Sequence, residues 1–290
     1  MYQNLSKKNT CFSDDKSIFL RIMQPFFSRL LYFLPPTLKP NTITITGFIF
    51  VLLNYVFIHL SIKGYYIGYI FGSMALFIYL LADNIDGMHA RFTNQTSKLG
   101  GFLDQWFDGI SLPLIAFPIM YSLNIKGFTL LFLICLLTLS CFLLYIEQLV
   151  YGIFYKPAFG PNEFLILVII GYVLIYLYND STQLIYCTDK LNIACILVFI
   201  SILFSTIFVI RGIILTGLHL KEFIVCLLWY SPVILYGLFR KNITSLDFEI
   251  FYIITHAIVM GYLIISIYRN RNISIPFTIK HPVEIKTTVK

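Results

Sequence analysis

The chain has 290 residues, 58% of them hydrophobic and 12% charged, and its mean hydropathy is +0.82. Those values exclude an ordinary soluble domain and describe an integral membrane protein. The net charge of +7 comes from basic residues at the ends of apolar runs rather than from one patch, so no nucleic-acid partner is expected.

Residues 1–14 are polar, and no cleavable signal peptide is expected before the first span. From about Lys16 to Leu34 apolar residues alternate with Lys16, Arg21 and Arg29, which predicts an amphipathic helix on the membrane surface, ended by Pro35-Pro36. Pro40 and Thr44 then suit the start of a first spanning helix over 43–61. Further spans are predicted over 66–88, 100–123, 127–155, 162–178, 191–210, 222–239 and 248–268, each near the length that crosses the hydrocarbon core. The expected organisation is a cytoplasmic arm with the amphipathic helix (1–42), a transmembrane catalytic domain (43–268) and a polar tail (269–290). Sixteen of the 21 Lys and Arg fall on the side of the N-terminus in this scheme and five on the other, which predicts that both termini are cytoplasmic. Asn242-Ile243-Thr244 forms a glycosylation sequon on the opposite side, in a short loop. The six cysteines (11, 135, 141, 187, 195 and 226) have no metal-type spacing and read as small hydrophobes in apolar runs.

The chemistry is concentrated between Asp83 and Asp108, in DNIDGMHARFTNQTSKLGGFLDQWFD. Asp83 and Asp86 are three apart and Asp104 and Asp108 four apart, so each pair lies on one helix face. The segment from about Phe92 to Ser97 is short enough to make the two helices antiparallel neighbours. Four carboxylates converging at a membrane surface repel one another unless a cation sits between them, and oxygen ligands suit Mg²⁺, Mn²⁺ or Ca²⁺. The acids gather at one face and no internal repeat is visible, which favours an enzyme over a transporter or an inactive scaffold.

Asp83, Asp86, Gly87, Ala90, Arg91, Gly100, Asp104 and Asp108 match every fixed position of Asp-x2-Asp-Gly-x2-Ala-Arg-x8-Gly-x3-Asp-x3-Asp. The stretch thus resembles the signature of the CDP-alcohol phosphotransferases, and Pro40-Asn41-Thr42-Ile43-Thr44 is similar to the segment that opens their first core helix. The resemblance spans about residues 35–215. It implies an all-α, polytopic bundle with a six-helix core, here joined by about two extra C-terminal spans and the N-terminal surface helix. It also implies two divalent ions, Mg²⁺ or Mn²⁺, held by Asp83, Asp86 and Asp104 as principal ligands. Asp108 would share the metal shell or act as base. Gly87, Ala90, Arg91 and Gly100 would border the bound nucleotide, with Arg91 suited to a phosphate, and the chain would form a homodimer.

Ala90-Arg91-x-Thr93-Asn94-x4-Leu99-Gly100, with Glu147 and Gly160-Pro161-Asn162-Glu163, resembles the eukaryotic choline and ethanolamine branch. That resemblance implies transfer of phosphoethanolamine or phosphocholine from a CDP-alcohol to diacylglycerol with release of CMP, Glu163 assisting as a catalytic carboxylate. The alternative within the family is phosphatidyl transfer from CDP-diacylglycerol to an alcohol such as inositol or glycerol phosphate. The implied membrane is the endoplasmic reticulum or Golgi in a eukaryote and the inner membrane in a bacterium. Two positions depart from the branch: Gln105 stands where it carries His, and Ile146 where it carries Trp. His89 is a candidate for nucleotide or head-group contact, Glu147 and Gln148 either line a cavity or end a helix, and His59 and His256 read as packed residues.

Overall fold

The computed structural model describes residues 18–151, 160–177, 231 and 246–270. Seven long helices are described: α1 (Ile18–Phe33), α2 (Pro40–Ile62), α3 (Gly68–Phe92), α4 (Lys98–Ser122), α5 (Gly127–Tyr151), α6 (Pro161–Leu177) and α7 (Leu246–Asn270). No strand occurs among the described residues, as the need to satisfy backbone polar groups within lipid dictates. The chain is a polytopic helical membrane protein. The predicted spans at 191–210 and 222–239, the sequon and the C-terminal tail lie outside the described residues.

α2, α3, α5 and α7 are long and apolar enough to cross a membrane. α4 has 25 residues but carries Lys98, Asp104 and Asp108 in its first half, and α6 is a shorter apolar helix of 17 residues. α2 shows its lipid face plainly, with Ile45, Ile49, Leu52, Val56 and Leu60 exposed at helical spacing.

Three turns set the order of the bundle. α2, α3 and α4 each end with a residue at positive φ: Gly64 (109°), Asn94 (57°) and Asn124 (57°). In each case the next N–H returns to a carbonyl five residues back, Tyr65 to Leu60, Gln95 to Ala90 and Ile125 to Met120. This closure satisfies the last carbonyls within a few residues, so each helix is followed at once by an antiparallel one. Gly and Asn occupy these positions because the left-handed backbone penalises other side chains.

α2 packs against both α3 and α4, α3 packs on α6, and α7 packs on α4 and α5. The last helix therefore belongs to the core around α4 rather than lying outside it. α1 packs on α3 and α6 and buries Phe27 completely, with Phe19 edge-on to it at 6.0 Å. Its other face leaves Ile22, Phe26 and Phe33 exposed.

α4 contains two prolines, Pro113 and Pro118. Pro113 has no N–H for the carbonyl of Gly109, and His256 of α7 supplies the missing donor from Nε2 at 3.0 Å. His256 is fully buried, and Gly109 has no side chain, so Met260 of α7 lies against it. A neighbouring helix thus repairs the bond that proline removes within the membrane. The reading of His256 as a packed residue agrees with this placement.

Candidate active site

Asp83 lies on α3 some two turns before its end, and Asp104 and Asp108 lie in the second and third turns of α4. The acids are therefore set inside the helices rather than at their tips. Among the described helices α3 and α4 make no extended backbone contact with each other, and α2 bridges both. The acidic side chains meet in the space so left. Asp83, Asp104 and Asp108 each offer a carboxylate oxygen, and the three oxygens lie within 4.8 Å of one another. Like charges this close repel, and a cation between them would relieve that repulsion.

This donor set fits a hard divalent cation. Metal–oxygen bonds of about 2.0–2.6 Å allow oxygens on one ion to stand as far apart as these do. All three ligands are carboxylates, which favours Mg²⁺, Mn²⁺ or Ca²⁺ over softer metals.

Asp86 stands apart from the three. It is 4% exposed, and one oxygen accepts the Thr44 hydroxyl of α2 at 2.5 Å while the other faces the backbone N–H of Gly87. Asp86 is not within that 4.8 Å group, but Asp104 and Asp83 are its acidic neighbours, and Thr44 of α2 holds one of its oxygens.

The remaining signature residues follow on α3 and open α4. Arg91 folds back along α3, and its Nη1 lies 3.3 Å from where a Gly87 Cβ would be. Gly87 therefore leaves room for the guanidinium, which forms no ion pair among the described residues. Ala90 accepts the turn bond from Gln95. A Cβ at Gly100 would meet Asn41 Oδ1 of α2 at 2.8 Å. The close approach is between α4 and α2. Ser97 starts α4 by accepting the Gly100 N–H at 3.0 Å.

His89 is fully buried, and its Nε2 lies 2.9 Å from the carbonyl of Leu38. With Gln95 donating to Pro36 at 3.0 Å, it fastens the segment between α1 and α2 over the end of α3. Glu163 accepts the Gly160 N–H at 2.7 Å and the Phe19 N–H of α1 at 3.0 Å. It caps its own helix and the surface helix together, so both its oxygens are engaged by backbone donors. The side chains of Glu147 and Gln148 lie outside the described residues. His59 pairs with Glu249 at 3.3 Å, at the end of the bundle opposite the acids, where Tyr55 also donates to Glu249 at 2.5 Å.

Several neighbours of the cluster escaped the sequence. Tyr79 donates to Asp108 Oδ1 at 2.9 Å. Asn84 and Asn162 pair their amides at 3.1 Å and tie α3 to α6 beside Asp83. Tyr79 sits one helical turn before Asp83, which was the available signal; nothing in the sequence pointed to Asn162.

Comparison with known proteins agrees with the site. The model of the CDP-alcohol phosphatidyltransferase family matches residues 37–207. Cholinephosphotransferase 1 of Saccharomyces cerevisiae is 29% identical over 182 residues, covering 59% of this chain and 45% of that protein. Choline/ethanolaminephosphotransferase 1 of the same yeast is 27% identical over 183 residues, 58% of this chain and 45% of its own. Cholinephosphotransferase 1 of Gallus gallus is 38% identical over 94 residues, 31% and 28% of the two chains. The chain spans about half the length of the yeast relatives it matches. With the whole signature in place and the family model covering more than half its length, the chain belongs to the CDP-alcohol phosphatidyltransferase family.

Proposed function

We propose that this protein transfers phosphoethanolamine or phosphocholine from a CDP-alcohol to the hydroxyl of diacylglycerol, releasing CMP. The observation that carries the reading is the meeting of Asp83, Asp104 and Asp108 carboxylate oxygens within 4.8 Å of one another. The names of the relatives support the choice of a CDP-amino-alcohol as donor.

In this reading Asp83, Asp104 and Asp108 hold one divalent ion, Mg²⁺ or Mn²⁺, and Asp86 with its acidic neighbours contributes to a second. Bound divalent ions neutralise the diphosphate and polarise the phosphoryl group. Arg91, held close to Gly87, contacts a phosphate oxygen, and Ala90 and Gly100 border the nucleotide with their small side chains. Asp108 accepts the proton of the diacylglycerol hydroxyl. Both Glu163 oxygens accept backbone N–H groups, so Glu163 assists as the cap of two helices. Gln105 carries no proton-accepting nitrogen and is assigned no part in it. The acids face the cytoplasm, as the Lys and Arg distribution implies, in a homodimer with the helical domain of 43–268 as catalytic unit.

The test is CMP release by the purified chain in lipid, supplied with diacylglycerol and CDP-ethanolamine or CDP-choline, with and without Mg²⁺ or Mn²⁺. Metal-dependent release with either donor supports the reading and selects the head group. Release only from CDP-diacylglycerol with an alcohol acceptor would replace it with phosphatidyl transfer.

A further inference from the structure

Tyr79 lies outside the eight-residue signature, yet its hydroxyl reaches the three-carboxylate group directly. We propose that Tyr79 is a positioning residue of the metal centre, its phenol holding Asp108 in the orientation that lets Asp108 join Asp83 and Asp104. The proposal rests on the reading of these acids as a divalent-cation site.

Three observations support it. The Tyr79 hydroxyl donates to Asp108 Oδ1 at 2.9 Å across the space between α3 and α4, two helices that make no extended backbone contact. The bond therefore links the helices at the depth of the acids. Tyr79 is four residues before Asp83, so one face of α3 presents a ligand and the anchor of a second ligand. The ring itself cannot swing away. It is 7% exposed and lies against α2 at Gly47, where a Cβ would stand 3.6 Å from Tyr79 Cδ2, an ordinary packing distance.

The chemistry of the donor matters as much as its place. Three neighbouring carboxylates repel, and without a restraint Asp108 lowers its energy by turning away from Asp83 and Asp104. A Lys or Arg in the place of Tyr79 would restrain it but would also neutralise the charge that attracts the cation. A phenol is a neutral donor: it fixes one oxygen and leaves the carboxylate its full negative charge. Groups in this position around metal sites orient ligands, and losing one lowers metal affinity by about 10–100-fold.

The experiment compares Tyr79→Phe with wild type, using Mn²⁺ alone as the probe on the full chain in nanodiscs. Binding is read by the free-Mn²⁺ electron paramagnetic resonance signal, and CMP release is recorded against Mn²⁺ concentration. Phe keeps the ring against Gly47 and removes only the donor. The proposal expects Mn²⁺ affinity to fall about 10-fold or more and the half-activating Mn²⁺ concentration to rise in step. Tyr121→Phe, at the far end of α4, is expected to bind Mn²⁺ as wild type does. Should Tyr79→Phe unfold, a fluorinated tyrosine at position 79, a stronger donor of nearly the same shape, is expected to raise the affinity severalfold. Mn²⁺ affinity in Tyr79→Phe within twofold of wild type, or no response to fluorination, would overturn the proposal alone. Absence of Mn²⁺ binding by the wild type would overturn the metal-site reading and this proposal with it.

Discussion

Thr44 donates its hydroxyl to Asp86 at 2.5 Å, across the contact between α2 and α3 and 42 residues away in sequence. This bond anchors Asp86 to the first spanning helix. Thr44 also lies within reach of the Pro40 carbonyl at 3.3 Å, one turn back on α2.

Thr44→Val keeps the shape of the side chain and removes the donor, leaving a buried carboxylate short of one partner. The expected result is a loss of about 10-fold in CMP release, with the larger share recovered as Mg²⁺ or Mn²⁺ is raised. Thr44→Ser is expected to retain activity. Steady-state rates at several metal concentrations check both variants, and equal rates for Val and Thr would remove Thr44 from the site.

His256 and Pro113 are coupled through the Gly109 carbonyl. His256→Phe removes the donor and leaves that carbonyl buried and unpaired, at a cost of about 1–3 kcal/mol. Pro113→Ala restores the helical N–H, so in its background the same His256 change is expected to cost about 1 kcal/mol less. Denaturation of the four proteins in detergent gives the cycle, and strict additivity would show that His256 does not replace the proline's missing bond.

Glu163→Gln separates two roles. An amide keeps one acceptor but sets an N–H₂ group against a backbone N–H of Gly160 or Phe19. As a double cap, Glu163 predicts a loosened α1, seen as faster proteolysis before Pro35, with only a small loss of turnover. As the general base it would predict a loss of about 100-fold or more at unchanged α1 protection.

The sequence read most clearly where chemistry and periodicity coincide. Eight signature positions at fixed spacing singled out Asp83, Asp86, Asp104 and Asp108 as a candidate site, and long apolar runs located every described helix from α2 onward to within a few residues. Thr44 as a partner of Asp86 was not legible, because spacing along one helix says nothing of a residue that arrives from another. The approach of Asn41 of α2 to Gly100 was hidden for the same reason. Tyr79 was hidden because one tyrosine in an apolar helix looks like core until the opposite helix supplies Asp108. The repair of Gly109 by His256 was likewise beyond a one-dimensional reading, since proline announces a missing bond but not which helix will replace it.

The three-carboxylate centre is tested most directly by measuring metal-dependent CMP release and Mn²⁺ binding in Asp104→Asn beside wild type. Asparagine preserves size and removes one negative charge from the group. The account predicts that Mn²⁺ binding weakens at least about 10-fold and that CMP release falls by about 100-fold or more, with the protein still folded. Wild-type metal affinity and turnover in Asp104→Asn would contradict it.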